Sequence, residues 1–465
     1  MVSQHYAIDW DNFENFADMD YSNLMAISPI DGRYSSKTGP LSSYFSEYGL
    51  IRYRVQVEIK YFLALCRIPL PQLASFPIDS IPKLDNIYLS FTEEDAAKIK
   101  AFEKTTNHDV KAVEYFLREK FDILGIGLFK EFIHFGLTSQ DINNTAVPIS
   151  LKEGIRNEII PELEKIQQMI TGFSKEWAEI PLLARTHGQP ASPTRLGKEF
   201  MVYTDRIGKQ LSQLKTRKYF GKFGGATGNF NAHHIAYPDI KWDVFANDFL
   251  KDDLELNRNQ HTTQIDHYDE LAELFDNMRR IHVIFIDLCR DIWTYVSMDY
   301  FKQVVKADEV GSSAMPHKVN PIDFENAEGN LAYANAILDF LSNKLPVSRL
   351  QRDLTDSTVM RNVGVPLAHG LVAYSSILKG LGKLIVNRDK INQDLEENWA
   401  VVAEAIQTIL RREGYPNPYD KLKQFTRGKH NLDKNVFDSF IESLDVADNL
   451  KDELKKVSPF NYTGI

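Results

Sequence analysis

The chain has 465 residues, enough for two to four domains around a large buried core. Its hydrophobic share of 43% and charged share of 25% are those of an ordinary globular protein. A formal net charge of −10 excludes any overall attraction to nucleic acid or anionic membranes, but leaves room for a local basic patch that grips a small anion.

Residues 1–20, MVSQHYAIDWDNFENFADMD, are acidic and lack an apolar core. They read as a poorly ordered tail, neither a signal peptide nor an Arg-rich transit peptide. Residues 21–137 read as an N-terminal domain of shorter helices. In it, Ser28-Pro-Ile-Asp-Gly-Arg-Tyr34 is a Pro/Gly turn from which Arg33 and Tyr34 project. An arginine on such a turn can fork onto a phosphate or carboxylate, although turns of this kind are more often plain surface.

No proline falls between Pro82 and Pro148, Pro238 and Pro316, or Pro366 and Pro416. Proline breaks helix interiors, so these stretches permit long helices. Residues 138–389 carry the strongest helical signals and read as a central bundle. Near its start, Thr186-His187-Gly-Gln-Pro-Ala-Ser-Pro193 holds a histidine in irregular backbone. Histidine titrates near neutral pH and suits general-acid work; a lone histidine is otherwise structural. Leu196, Phe200, Tyr203, Ile207, Leu211 and Leu214 then follow at helical spacing.

Gly221-Lys-Phe-Gly-Gly-Ala-Thr-Gly-Asn229 is glycine-rich but lacks the closing Lys-Ser/Thr of a phosphate loop, and no strand–helix alternation surrounds it. A second apolar stripe runs through Leu271, Leu274, Phe275, Met278, Ile281, Phe285, Leu288, Ile292 and Val296. Ile281 to Val296 is the most apolar long stretch, but Asp287, Arg290 and Asp291 interrupt it, so no membrane span is expected. No series of alternating strands appears. Cys66 and Cys289 are too few and too far apart for a disulfide framework or a Cys-rich zinc site, and suit a reducing compartment. The histidines lack metal-ligand spacing, with His233 and His234 adjacent and His261 and His267 six apart. No metal is therefore expected.

Gly311-Ser-Ser-Ala-Met-Pro-His-Lys-Val-Asn-Pro321 is the most specific segment. Its Gly, Ser and Pro residues cannot continue a helix, and it carries Ser312, Ser313, His317, Lys318 and Asn320. So dense a polar loop suits a lid over a charged substrate. Gln351-Arg-Asp-Leu-Thr-Asp-Ser-Thr-Val-Met-Arg361, if helical, sets Arg352 and Arg361 two to three turns apart with Ser357 between them. Either arginine can hold a phosphate; a salt-bridged helix face is the plainer alternative. Residues 390–465 read as a smaller C-terminal helical domain.

The GSSAMPHKVNP segment resembles the signature loop of the fumarase/aspartase superfamily. SPIDGRY, TTNHDVKAVEYF, FIHFGLTSQDINN, ARTHGQPASPT and QRDLTDSTVMRN resemble, in order, the adenylosuccinate lyase family in its bacterial form. The likeness runs from about Leu24 to near the chain end; residues 1–20 have no counterpart. It implies an all-α fold of three helical domains and a cytoplasmic homotetramer with its four sites at subunit junctions. It further implies cofactor-free β-elimination of fumarate from adenylosuccinate and from the succinyl-aminoimidazole-carboxamide ribotide of purine biosynthesis.

Carried over by position, Ser312 is the general base and His187 the general acid. Lys318 and Asn320 bind the succinyl carboxylates, and Ser313 is a further donor. Arg33, Tyr34, Arg352, Ser357 and Arg361 match nucleotide and phosphate contacts. His108 and Asp109 match the family's His-Asp pair, and Thr138, Ser139 and Gln264 further substrate contacts. Glu325 and His134 match supporting groups, Glu325 being the carboxylate that backs a site histidine. The loop alone would fit an argininosuccinate lyase, fumarase or aspartase, but SPIDGRY and RDLTDSTVMRN supply the arginines a nucleotide phosphate needs. A non-catalytic helical protein is disfavoured because Ser312, His187 and Lys318 are all present.

Overall fold

In the computed structural model, which describes residues 23–304, 315, 318–428 and 432–465, Ser46 starts the first long helix. Its hydroxyl accepts the Gly49 N–H at 3.1 Å and caps Glu47–Cys66 (α1). This helix is apolar nearly all round, so it is buried nearly all round. Ile51, Val55, Ile59, Phe62 and Leu65 pack into a core shared with Glu93–Thr106 (α2) and Asp109–Ile123 (α3). Phe223, Trp242, Phe249 and Leu256 join that core from much later in the chain.

A single helical rod then runs through Ser139–Gly154 (α4), a π-helical turn at Ile155–Ile159, and Ile160–Glu176 (α5). Leu151, Ile155, Ile159, Leu163, Ile166 and Ile170 line one face and are fully buried. Pro148 sits inside α4, where proline is ordinarily excluded. The exception has a local cause. Pro148 lacks the N–H that would bond the Asn144 carbonyl, and that carbonyl accepts the Lys222 N–H at 3.3 Å instead. Only glycine fits at Gly221, where a Cβ would lie 2.9 Å from Asn144 O.

Leu196–Thr216 (α6), Asp269–Ser297 (α7), Ile322–Lys344 (α8) and Gly364–Leu381 (α10) complete the bundle; the short helix Thr355–Met360 (α9) links the last two. The apolar stripes expected on α6 and α7 face the bundle core, with Val296 half-buried at the end of α7. Among the described residues, strands occur only as four two-stranded pairs of two or three residues each. A third core, with Trp399, Ile406, Leu410, Phe437 and Ile441, holds the C-terminal helices together. Cys66 and Cys289 are free thiols. No helix among the described residues is long and apolar enough to cross a membrane.

Candidate active site

Arg352 precedes α9 and Arg361 follows it. Arg352 Nη2 donates to Ser357 Oγ at 2.8 Å, and Asp356, buried on the same helix, accepts the Tyr268 hydroxyl at 2.9 Å. Arg361 divides its fork between Glu47 at 2.8 Å and Asp109 at 3.1 Å. Asp109 Oδ2 also accepts Arg54 Nη2 at 2.7 Å, and Arg54 Nε donates to Asn143 Oδ1 at 2.8 Å. Burial pushes the Asp109 carboxyl up, but Arg54, the Val110 N–H and Arg361 outweigh it and hold the pKa below the ordinary value. A cavity of about 90 Å³ opens between these groups, lined by Arg54, Gln140, Asn143, Ser357 and Arg361. His108, beside Asp109, caps α3: its Nδ1 accepts the Lys111 N–H at 3.1 Å, so the neutral ring carries its proton on Nε2.

Thr138 and Ser139 stand at the start of α4, held by Asp141. The Asp141 carboxylate accepts the Thr138 N–H at 2.8 Å, Lys222 Nζ at 2.7 Å and the Gly224 N–H at 2.9 Å, with neither charged side chain exposed. The glycine-rich stretch thus braces the Thr138 turn. It also braces the loop that carries Gln264, because a Cβ at Gly228 would meet Thr262 O at 2.4 Å. Gln140 Nε2 lies 3.4 Å from Ser357 Oγ, which joins the Thr138 turn to the arginine segment. In the Gln264 loop, Asp266, His267 and Glu270 set ligand-type atoms within 4.8 Å of one another. Asp266 accepts Asn259 Nδ2 at 2.7 Å and the His267 N–H at 2.9 Å there.

His134 sits in left-handed backbone, with Nδ1 2.6 Å from the buried Glu58 Oε1. Burial opposes its charged form, but the Glu58 carboxylate prevails and raises the imidazole pKa. His233, buried against the Tyr61 hydroxyl at 3.0 Å with no such partner, is pushed down by burial to about 4.

The remaining described residues lie elsewhere. His187 and Gly188, both at positive φ, form the two-residue turn of a hairpin between Arg185–Thr186 and Gln189–Pro190. His187 is exposed, and the hairpin follows the far end of the rod that Ser139 begins, roughly 55 Å away if straight. Tyr34 Oη accepts Asn326 Nδ2 at 3.3 Å, with the Arg33 guanidinium 5.9 Å from its ring. Lys318 and Asn320 precede α8. Glu325, in its first turn, accepts Trp293 Nε1 at 3.0 Å rather than a histidine. This group sits at the start of α8, where Ser376 of α10 meets Asn326 at 2.9 Å, and the run of α10 back to the arginine segment separates the two by roughly 20 Å. Ser312, Ser313 and His317 lie outside the described residues.

One chain therefore brings Asp109, Thr138, Ser139, Arg352, Ser357 and Arg361 into one neighbourhood. It leaves His187, and the group of Tyr34, Lys318, Asn320 and Glu325, away from it. Four residues the sequence reading did not single out tie the neighbourhood together: Arg54, Glu58, Asp141 and Lys222. A signal existed for the first two, since a charged pair four apart inside an apolar helical run is buried only if partnered.

A family model described as Lyase matches residues 32–335, and one described as Adenylosuccinate lyase C-terminal matches residues 348–463. The chain is 55% identical over 453 residues to the adenylosuccinate lyase of Dictyostelium discoideum, covering 96% of this chain and 97% of that protein. It is 49% identical over 448 residues to that of Escherichia coli (strain K12), covering 96% and 98%. Among solved structures, the 3-carboxy-cis,cis-muconate lactonizing enzyme of Pseudomonas putida superposes with a TM-score of 0.71 at 20% identity, covering 91% of this chain and 93% of that one. The fumarate lyase of Mesorhizobium sp. BNC1 also reaches 0.71, at 18% identity, covering 92% and 95%. These two likenesses speak to the fold alone.

Proposed function

This chain belongs to the adenylosuccinate lyase family, and on that premise we propose a cytoplasmic homotetramer that splits adenylosuccinate into AMP and fumarate at sites shared between subunits. It also releases fumarate from the succinyl-aminoimidazole-carboxamide ribotide. The observation that carries this reading is the convergence of Arg352, Ser357 and Arg361 beside Asp109, two guanidinium groups and a hydroxyl suited to a nucleotide phosphate.

The reaction is a β-elimination. Ser312 takes the proton from the carbon next to a succinyl carboxylate, and the electron pair forms the fumarate double bond. The carbon–nitrogen bond breaks, and His187 gives its proton to the departing nitrogen so that the purine product leaves neutral. Charge builds on the carboxylate beside the carbanion. Donors fixed toward it supply the largest catalytic contribution, a task for Lys318, Asn320 and Ser313. The base and the acid each add about 10²–10⁴ in rate.

The spacing of these groups supports shared sites. His187 belongs to the far end of the α4–α5 rod from Thr138, and the run of α10 separates Lys318 and Asn320 from Arg352. Complete sites need more than one chain. Two free thiols and no paired cysteine suit the reducing cytoplasm.

The test is a spectrophotometric assay of the purified protein with adenylosuccinate, with and without EDTA. Turnover is expected in both. Cleavage of argininosuccinate with adenylosuccinate left intact would overturn the substrate, and loss of activity in EDTA would overturn metal-independence.

A further inference from the structure

We propose that Arg54 is a positioning residue whose buried charge leaves Arg361 free to bind the substrate's phosphate, an inference that rests on the reading of Arg361 as a phosphate contact. Two carboxylates face Arg361: Glu47 at 2.8 Å and Asp109 at 3.1 Å. Left to themselves, two negative charges on one guanidinium would make this corner of the cavity repel an anion. Two further cations prevent that. Lys100 Nζ lies 3.1 Å from Glu47 on the exposed side, although Glu103 also claims it at 2.6 Å. Arg54 lies 2.7 Å from the same Asp109 oxygen that Arg361 uses, on the buried side.

Arg54 is the stronger of the two, because it is held in one place and screened from water. It is 3% exposed, and Asn143 fixes the plane of its guanidinium through Nε at 2.8 Å. Charge interactions at such a site act through a lower dielectric than on the surface. With Arg54, the cluster of Arg54, Lys100, Arg361, Glu47, Glu103 and Asp109 is neutral; without it, the cluster carries a net negative charge. Among the described residues, the one other titratable group against Asp109 is His108, whose Nδ1 lies 4.0 Å from Oδ1. Arg54 also lines the cavity shared with Arg361 and Ser357, and its Nη1 is buried with no hydrogen-bond partner among the described residues.

The experiment compares Arg54→Met, Arg54→Lys, Glu47→Gln and Arg361→Ala in the full-length protein. It measures KM for adenylosuccinate, kcat, inhibition by inorganic phosphate and thermal stability. Arg54→Met is expected to raise KM and the phosphate inhibition constant together, by roughly tenfold, with kcat little changed. Arg54→Lys should recover much of that loss. Glu47→Gln, which removes a competing carboxylate and spares the core, should tighten phosphate, and does not depend on Arg54→Met folding. A folded Arg54→Met with unchanged phosphate inhibition would overturn the proposal, as would Glu47→Gln with no tighter phosphate. If Arg361→Ala itself leaves phosphate inhibition unchanged, it is the phosphate reading of Arg361 that fails.

Discussion

Lys222 Nζ lies 2.7 Å from Asp141 Oδ1, and neither side chain touches solvent. The same carboxylate holds the Thr138 N–H, so this ion pair fixes the turn on which two candidate substrate contacts stand. Removing one partner strands a buried charge. Lys222→Met is expected to destabilise the protein by about 3–5 kcal/mol, and Lys222→Met with Asp141→Asn by less. Urea denaturation of both variants checks this. A single variant within about 1 kcal/mol of the parent would mean that the Gly224 and Gly225 N–H groups hold Asp141 unaided.

Arg352 holds Ser357, which lines the cavity, and Arg361 lines the cavity itself between Glu47 and Asp109. Replacing either with alanine should weaken AMP binding by about 1.5–3 kcal/mol, the cost of losing a charge-assisted contact. Alanine suits a helix end, so circular dichroism should be unchanged. Calorimetric titration decides, and unaltered affinity in both variants would remove these arginines from the site.

The His134–Glu58 pair makes stability depend on pH in a definite direction. The folded imidazole has a raised pKa, so it binds its proton more tightly than the unfolded chain does. Its contribution is fully present below the unfolded value of about 6.5 and is lost as pH rises through the folded one. Glu58→Gln should lower the melting temperature most below that pH and narrow the gap above it. Melting curves of the two proteins from acid to alkaline buffer test this; a gap that widens with pH contradicts the assignment.

If each site of the proposed homotetramer is shared between subunits, mixing can repair it. Ser312→Ala and His187→Ala should each be nearly inactive. Tetramers reassembled from both should regain roughly a quarter of the parent activity, because about one site in four draws both residues from chains where they are intact. Mixed tetramers that regain nothing would assign both residues of each site to one chain.

Much of the fold was readable from periodicity alone. The stripes from Leu196 to Leu214 and from Leu271 to Ile292 became buried helix faces because steps of three and four residues leave no other face to bury. Proline spacing was a weaker guide: Pro148 stands inside α4 because a distant backbone N–H, that of Lys222, replaces the bond it cannot make. Nothing local announces that partnership. Nor does anything local show that Phe223, Trp242 and Leu256 return to the core of α1. The candidate site was legible as segments through their resemblance, but not as geometry. Arg54 and Lys222 act through residues far away in sequence, and Glu325 meets Trp293 instead of a histidine within one chain.

The π-helical turn at Ile155–Ile159 takes up one residue more than ordinary α-helix would hold in the same rotation. Leu151, Ile155, Ile159 and Leu163 recur every four residues, wider than the α-helical repeat, and the looser turn lets all four keep facing inward. Deleting one residue there would let the rod relax into ordinary α-helix in nearly the same phase, whereas winding the undeleted residues as ordinary α-helix would swing everything after them by about 100° around the axis. Ile166 and Ile170 would then point away from the core, and the His187 hairpin would be delivered to the wrong side of the molecule. A residue of apparent slack in mid-helix thus sets the rotational phase of a hairpin at its far end.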